Sequence, residues 1–247
     1  MEEKVSKKCS ISIVSHGQFD LVSDLLNDLE AFAKNIHEII LTINIPETFA
    51  VEPYTNNIVV IQNEIPCGFG ANHNTAFSYC SADIFLVLNP DLRIIDFDFD
   101  LFLRELCSKD VGLVTPIVEN ANGSIEDHVR PYPTPLNLAQ RVLGRLFSHK
   151  PEYPSQLKVK TPYWIAGMFM GFKSSMFREV GGFDTRYFMY MEDVDICAKI
   201  LNAGYKIGID SGNKIIHDAR RGSQRNLRLF LIHFASYIKY FRKWAGK

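Results

Sequence analysis

The stretch IFLVLNPD, residues 84–91, decides how this chain is read. Its first five residues are an apolar run of strand type. Asn89-Pro90-Asp91 ends that run, because Pro fixes φ while Asn and Asp close turns with their own side chains. A strand that ends in a carboxylate places Asp91 where a hard divalent cation, Mg²⁺ or Mn²⁺, can be held between protein oxygen and a diphosphate. Taken singly the motif is also an ordinary turn, and its context decides between the two.

Upstream the pattern alternates. Residues 10–15 read as a strand and 21–33 as a helix with Leu21, Leu25, Leu29 and Phe32 on one face. Residues 38–43 and 58–61 read as strands, 72–80 as a helix and 83–88 as the strand feeding Asp91. This βαβ order predicts an α/β fold, a mostly parallel sheet with helices on both faces. Ligands bind beyond the carboxyl ends of such strands, and Ser15, His16, Asn44, Gly68, Phe69, Gly70 and Asn89 all fall there. Gly68 and Gly70 leave two loop positions without side-chain bulk, so that backbone can approach a nucleotide. Asn72 and Asn74 offer amides at the start of the next helix.

Downstream, Glu192-Asp193-Val194-Asp195 opens another helix. Acidic residues commonly cap helices, but Asp193 precedes Ile196, Cys197 and Ile200 by three, four and seven positions and so shares their inward face. The helix dipole favours its ionised form while burial opposes it, an environment suited to a general base that deprotonates a hydroxyl. Glu192 is the helper that orients hydroxyls, and Asp195 points elsewhere. The proline-rich segment 118–162 reads as long shaped loops for acceptor recognition. Within it, Glu126-Asp127-His128 and Arg130 read as solvated or substrate-facing rather than as a catalytic trio, since adjacent residues rarely converge on one atom.

ISIVSHG (11–17), GFGANHN (68–74), FLVLNPD (85–91), WIAGMFMGF (164–172) and VGGFDTRYFMYMEDVDICA (180–198) run in the order found in family 2 glycosyltransferases of the GT-A fold. The chain resembles most closely the bacterial rhamnosyltransferases of O-antigen and related polysaccharide assembly. The resemblance implies a nucleotide-sugar donor lined by the Gly68 loop, with Asn74 as the family's recurring asparagine and Ser15, His16, Asn44 and Asn89 alongside. It makes His217, late in the chain, the partner of Asp91 at the metal. Arg220 and Arg221 would hold the donor diphosphate or a lipid phosphate, since guanidinium forks suit phosphate oxygens. Gly181-Gly182-Phe183-Asp184 would frame donor and acceptor. Trp164 is either an acceptor platform or core, and Ala166 and Gly167 leave space beside it for a sugar ring. One departure stands out. Where the family carries an Asp-Asn pair to read the base, this chain has Thr42-Ile43-Asn44-Ile45-Pro46-Glu47; Asn44 offers hydrogen bonds without charge, and Glu47 is a substitute carboxylate.

A chain of 247 residues, 47% hydrophobic and 22% charged, with no Ser/Gly/Pro-rich linker, reads as one domain spanning residues 1–247. Its five cysteines are an odd number without a C-x-x-C pair, which argues against a disulfide framework or a zinc site and for a reduced, cytoplasmic setting. Residues 1–8 lack the apolar core of a signal peptide, and no run of about 18 apolar residues offers a membrane span. The C-terminus is distinct: Arg220, Arg221, Arg225, Arg228, Lys239, Arg242, Lys243 and Lys247 occur there with no Asp or Glu. Residues 225–244 predict a basic amphipathic helix, which either lies on an anionic membrane surface or packs its apolar face on the core.

The implied activity is inverting transfer of a sugar, L-rhamnose from dTDP-L-rhamnose, to a hydroxyl of a lipid-linked saccharide at the inner face of the cytoplasmic membrane, with no nucleic-acid partner. Two other readings compete. A nucleotidyltransferase of related fold would need a basic glycine-rich signature near the N-terminus, for which His16-Gly17 is a poor substitute. In a non-catalytic membrane-binding module the acidic motifs would only cap helices.

Overall fold

The computed structural model describes residues 8–49, 57–134, 163–217 and 227–245, the side chains of 227–230 excepted. Eight strands form one mixed sheet: β1 (Cys9–Ser15), β2 (Ile36–Ile43), β3 (Ile58–Gln62), β4 (Ile84–Leu88), β5 (Leu92–Arg93), β6 (Val111–Asn120), β9 (Phe169–Lys173) and β10 (Lys206–His217), in the order β3-β2-β1-β4-β9-β6-β10-β5. β3, β2, β1 and β4 run parallel, as do β6 and β10, whereas β9 is antiparallel between β4 and β6 and β5 is antiparallel on the edge of β10. β7 (Val129–Pro131) and β8 (Tyr163–Ile165) pair antiparallel outside this sheet. The expected mostly parallel sheet is therefore present, interrupted by one antiparallel insertion.

The helices α1 (Phe19–Glu30), α2 (Phe69–Phe77), α3 (Phe99–Cys107), α4 (Ser174–Glu179), α5 (Glu192–Asn202) and α6 (Leu227–Trp244) cover both faces. The strand period of two explains how one run serves both. Leu86 and Leu88 of β4 join Leu25 and Leu29 of α1 and Phe102 and Leu106 of α3 in one apolar layer. Phe85 and Val87 join Phe177 of α4, Ile196 and Ile200 of α5, and Tyr237 and Tyr240 of α6 in the other.

Two boundaries differ from the sequence expectation, and both bear on function. α2 begins at Phe69 rather than Asn72, with Gly68 as an extended N-cap (φ −73°, ψ 164°), so Gly70 lies in the first helical turn and not in a loop. β10 extends back to Lys206, well before the short strand expected at 214–216, because its pairing with β6 is interrupted between Asp210 and Lys214. There Asp210 accepts a hydrogen bond from Asn213 Nδ2 (2.6 Å), and the same amide nitrogen donates to Asp98 O (3.0 Å), which hides the strand from a local pattern search.

None of the described helices is long and apolar enough to cross a membrane. α6 packs one face on the core, burying Ser236, Tyr237 and Tyr240, while Leu231, Phe234 and Ile238 stand 57%, 53% and 39% exposed. The core-packing reading of this helix thus holds for one face, and the opposite face leaves three apolar side chains exposed.

Candidate active site

The carboxyl end of β4 turns through Asn89-Pro90-Asp91 into β5, whose register on β10 sets Leu92 opposite His217. Asp91 is thereby brought beside the histidine: Asp91 Oδ2 lies 3.1 Å from His217 Nε2, and Glu126 Oε2 lies 3.0 Å from Nδ1. Burial works to lower the His217 pKa, but the two carboxylates outweigh it and raise the ring to about 9. Asp91 Oδ1 is buried with no hydrogen-bond partner. The orphaned carboxylate oxygen fits a divalent cation, and His217 Nε2 would join it only on releasing the proton it shares with Asp91, as a neutral imidazole, which suits Mn²⁺ better than Mg²⁺. Among the described residues no three His, Cys, Asp or Glu side chains gather into a site that would hold an ion by themselves. Such a pair needs ligand phosphate and water to complete the coordination, as Mg²⁺-type sites commonly do.

The second acidic cluster stands at the start of α5. Tyr190 (φ 69°) and Met191 (φ 72°) precede it in successive left-handed conformations, a strained entry for non-glycine residues that sets how the first helical side chains project. Asp193 Oδ1 accepts from Val194 N (2.8 Å), and Oδ2 faces Gly167 N at 3.4 Å. Desolvation raises the Asp193 pKa; the Val194 amide, the charge of Arg130 and the Gly167 amide work against it. Glu192 is buried, one of its oxygens unpartnered, and burial with the neighbouring Asp193 charge pushes its carboxyl up to about 8. Both adjacent acids are thus raised by burial, and they differ in their partners: Asp193 accepts from two backbone amides and feels the Arg130 charge, whereas one Glu192 oxygen has no partner. Asp195 does point elsewhere: it is fully buried against α6, accepting from Lys243 Nζ (2.7 Å) and Trp244 Nε1 (2.8 Å).

The two acidic regions meet at the turn between β8 and β9. Met168 O accepts from Asn89 N (2.9 Å) on one side, and Gly167 N faces Asp193 on the other. Ala166 N donates to His128 O (2.8 Å), tying in the segment that carries Glu126 and Arg130. His128 itself is buried between the carbonyls of Glu126 (3.1 Å) and Pro116 (3.0 Å), a structural residue. Arg130 pairs with Asp127 (2.9 Å), stacks over Trp164 at 5.1 Å and contributes its charge to Asp193. Glu126 and Arg130 are brought to the site only by long-range strand pairing, of which the local sequence carries no sign.

Several residues assigned to ligands are engaged by the protein. Trp164 is 7% exposed and donates to Pro131 O (3.1 Å), as core residues do. The room expected beside Gly167 holds the Phe69 ring, 3.0 Å from where a Cβ would stand. A Cβ on Gly68 would clash with the Phe188 backbone and one on Gly70 with Phe183 Cβ (2.6 Å), so the close approach these glycines permit here is between segments of the chain. Asn74 spends its amide on Phe183 O (2.8 Å) and Phe183 N (2.9 Å), fixing the 181–184 turn. Asn44 is saturated by His16, Asn63 and both backbone groups of Cys67 and anchors the 63–67 loop. Ser15 is buried, with its Oγ 3.3 Å from Gln18 N, and His16 is exposed. The Asn89 side chain makes no hydrogen bond among the described residues. Glu47 accepts from Phe19 N (3.1 Å) through one oxygen, while the other is buried without a partner. Arg220 and Arg221 lie outside the described residues.

No protein-family model matches the chain. The chain is 28% identical over 247 aligned residues to rhamnosyltransferase WbbL of Escherichia coli (strain K12), an alignment covering 93% of this chain and 91% of that protein. It is 30% identical over 170 residues to the N-acetylglucosaminyl-diphospho-decaprenol L-rhamnosyltransferase of Mycobacterium tuberculosis, covering 63% of this chain. Among solved structures, GalNAc-T7 with UDP, GalNAc and Mn²⁺ superposes with a TM-score of 0.68 at 15% identity over 99% of the chain. The chain is a glycosyltransferase of the GT-A fold. The mannosyltransferase PcManGT of Pyrobaculum calidifontis, in complex with GDP-Man and Mn²⁺, has the same fold as this glycosyltransferase, with a TM-score of 0.59 at 14% identity over 96% of the chain. The glycosyltransferase spans 54% of the mycobacterial relative's length and 49% of the GalNAc-T7 chain. The names of these two relatives favour sugar transfer over the nucleotidyl-transfer and non-catalytic readings.

Proposed function

We propose that the chain is an inverting rhamnosyltransferase, acting as one catalytic domain on a lipid-linked saccharide. One observation carries the arrangement: the turn 166–168 is hydrogen-bonded to Asn89, two residues from Asp91, and faces Asp193 through Gly167 N. Asp193 takes the proton of an acceptor hydroxyl as that oxygen attacks the anomeric carbon, and the bond from that carbon to the nucleoside diphosphate breaks on the opposite face. Glu192, protonated near neutral pH, donates a hydrogen bond to a sugar hydroxyl. Arg130, braced by Trp164 and Asp127, opposes with its charge the burial that raises Asp193. Asp91 and His217 would hold a divalent cation, which supplies charge neutralisation for the departing diphosphate. Glu47, with its free buried oxygen, takes the place of the family's base-reading carboxylate, while His16 and Asn89 line the donor.

The names of the relatives support L-rhamnose as the sugar and a diphospho-polyprenol saccharide as the acceptor class, and dTDP-L-rhamnose is the donor that the family resemblance implies. That acceptor would place the enzyme at the inner face of the cytoplasmic membrane. A panel of nucleotide sugars with Mn²⁺, scored by thermal shift and by slow donor hydrolysis, tests this: dTDP-L-rhamnose is expected to give the largest response. A larger response to another nucleotide sugar would overturn the sugar assignment, and none with any of them would overturn donor binding itself.

A further inference from the structure

Away from the Asp91–Asp193 crevice, Arg186, Lys239, Arg242 and Lys243 line an open basin of about 480 Å³. Two acids face it. Asp184 pairs with Arg186 and Lys243, and Asp195 pairs with Lys243. Four cations against two carboxylates leave the basin with a surplus of positive charge, and Arg242 has no acidic partner among the described residues. Lys239 donates to Arg186 O (2.6 Å), which fixes α6 against the 184–187 loop. Leu231, Phe234 and Ile238 recur at helical spacing on an exposed stripe of α6 that Arg242 continues, with Lys239 beside it. An apolar ridge that ends in a cationic basin matches an amphiphile with an anionic head.

We propose that the basin seats the diphosphate of the lipid-linked acceptor and that the Leu231, Phe234 and Ile238 stripe receives the first part of its apolar chain. A diphosphate diester carries about two negative charges, which complements the surplus, and guanidinium forks match its oxygens. The geometry is consistent with the crevice: Asp193 faces Gly167 while Asp195, on the same helix, faces Lys243 and Trp244. Basin and base thus stand on different sides of the first turn of α5, and the sugar of an acceptor held in the basin would reach the base around that turn. The proposal rests on the acceptor class proposed above.

The test uses the full chain without donor, so its failure leaves the sugar-transfer reading untouched. Co-sedimentation is measured with phosphatidylcholine vesicles carrying a polyprenyl diphosphate and with vesicles matched in charge by phosphatidylglycerol. Binding is expected to be about tenfold tighter to the diphosphate vesicles and to fall about tenfold in Arg242→Glu, with Arg242→Gln intermediate, since each change alters the charge of the basin. The melting temperature of both variants should match that of the parent, because Arg242 is exposed. Equal binding to both vesicle types would reduce the basin to a general anionic-surface contact and overturn the proposal, as would unchanged binding of Arg242→Glu. Competition by inorganic diphosphate as strong as by the lipid form would overturn the role of the apolar stripe.

Discussion

Lys243 Nζ, in the last turn of α6, lies 2.7 Å from Oδ2 of the fully buried Asp195, in the helix that carries Asp193. The C-terminal helix is thus anchored to the base helix by a buried ion pair, reinforced by Trp244 Nε1 on the other carboxylate oxygen. Removing one partner of such a pair strands a buried charge. Lys243→Ala is therefore expected to lower stability by roughly 3 kcal/mol in chemical denaturation. A loss within the range of ordinary surface substitutions would show that α6 is only loosely attached.

Asp91 presents the orphaned oxygen at the carboxyl end of β4. Asp91→Ala is expected to abolish the Mn²⁺-dependent part of the donor-induced thermal shift, and chelator to do the same to the parent chain. Donor binding that is indifferent to both would mean that side chains alone carry the leaving-group charge.

Glu192 holds its proton more tightly when folded, its carboxyl being raised to about 8 by burial and the Asp193 charge. It costs the fold nothing below the ordinary carboxylate range, and stability is lost as pH rises towards and through about 8. Glu192→Gln stays neutral throughout, so its stability relative to the parent should improve as pH rises across that window. A pH-independent difference between the two denaturation midpoints would contradict a raised Glu192.

Asn44 and Glu47 separate scaffold from recognition. Asn44→Ala leaves the Cys67 amide without its acceptor and Asn63 with one of its two, and should destabilise by about 1–3 kcal/mol. Glu47→Gln should weaken donor affinity more than stability, as judged by a donor titration beside a melt. The reverse ranking would assign base contacts to Asn44 after all.

Much of this was legible in the sequence because the signals are local. The apolar run 84–88 and its Asn-Pro-Asp stop fixed the strand that presents Asp91, and the spacing of Asp193 to Ile196, Cys197 and Ile200 fixed the inward face of α5, where all three are buried. What the pattern concealed depends on distant pairing. Glu126 reaches His217 only because the long strand β10 runs beside β6, and Arg130 approaches Asp193 only through the β7–β8 pair. Gly68, Gly70 and Asn74 carry a ligand-loop signature in sequence, but the same residue types serve close packing on Phe183 and Phe188, a choice that only tertiary contact decides.

The central claim is that Asp193 is the base of a sugar-transfer reaction, and single-turnover transfer by Asp193→Asn with saturating dTDP-L-rhamnose tests it most directly. The rate is expected to fall on the order of 10²–10⁴-fold while the donor-induced thermal shift is retained. Turnover equal to the parent in a correctly folded Asp193→Asn chain would contradict it.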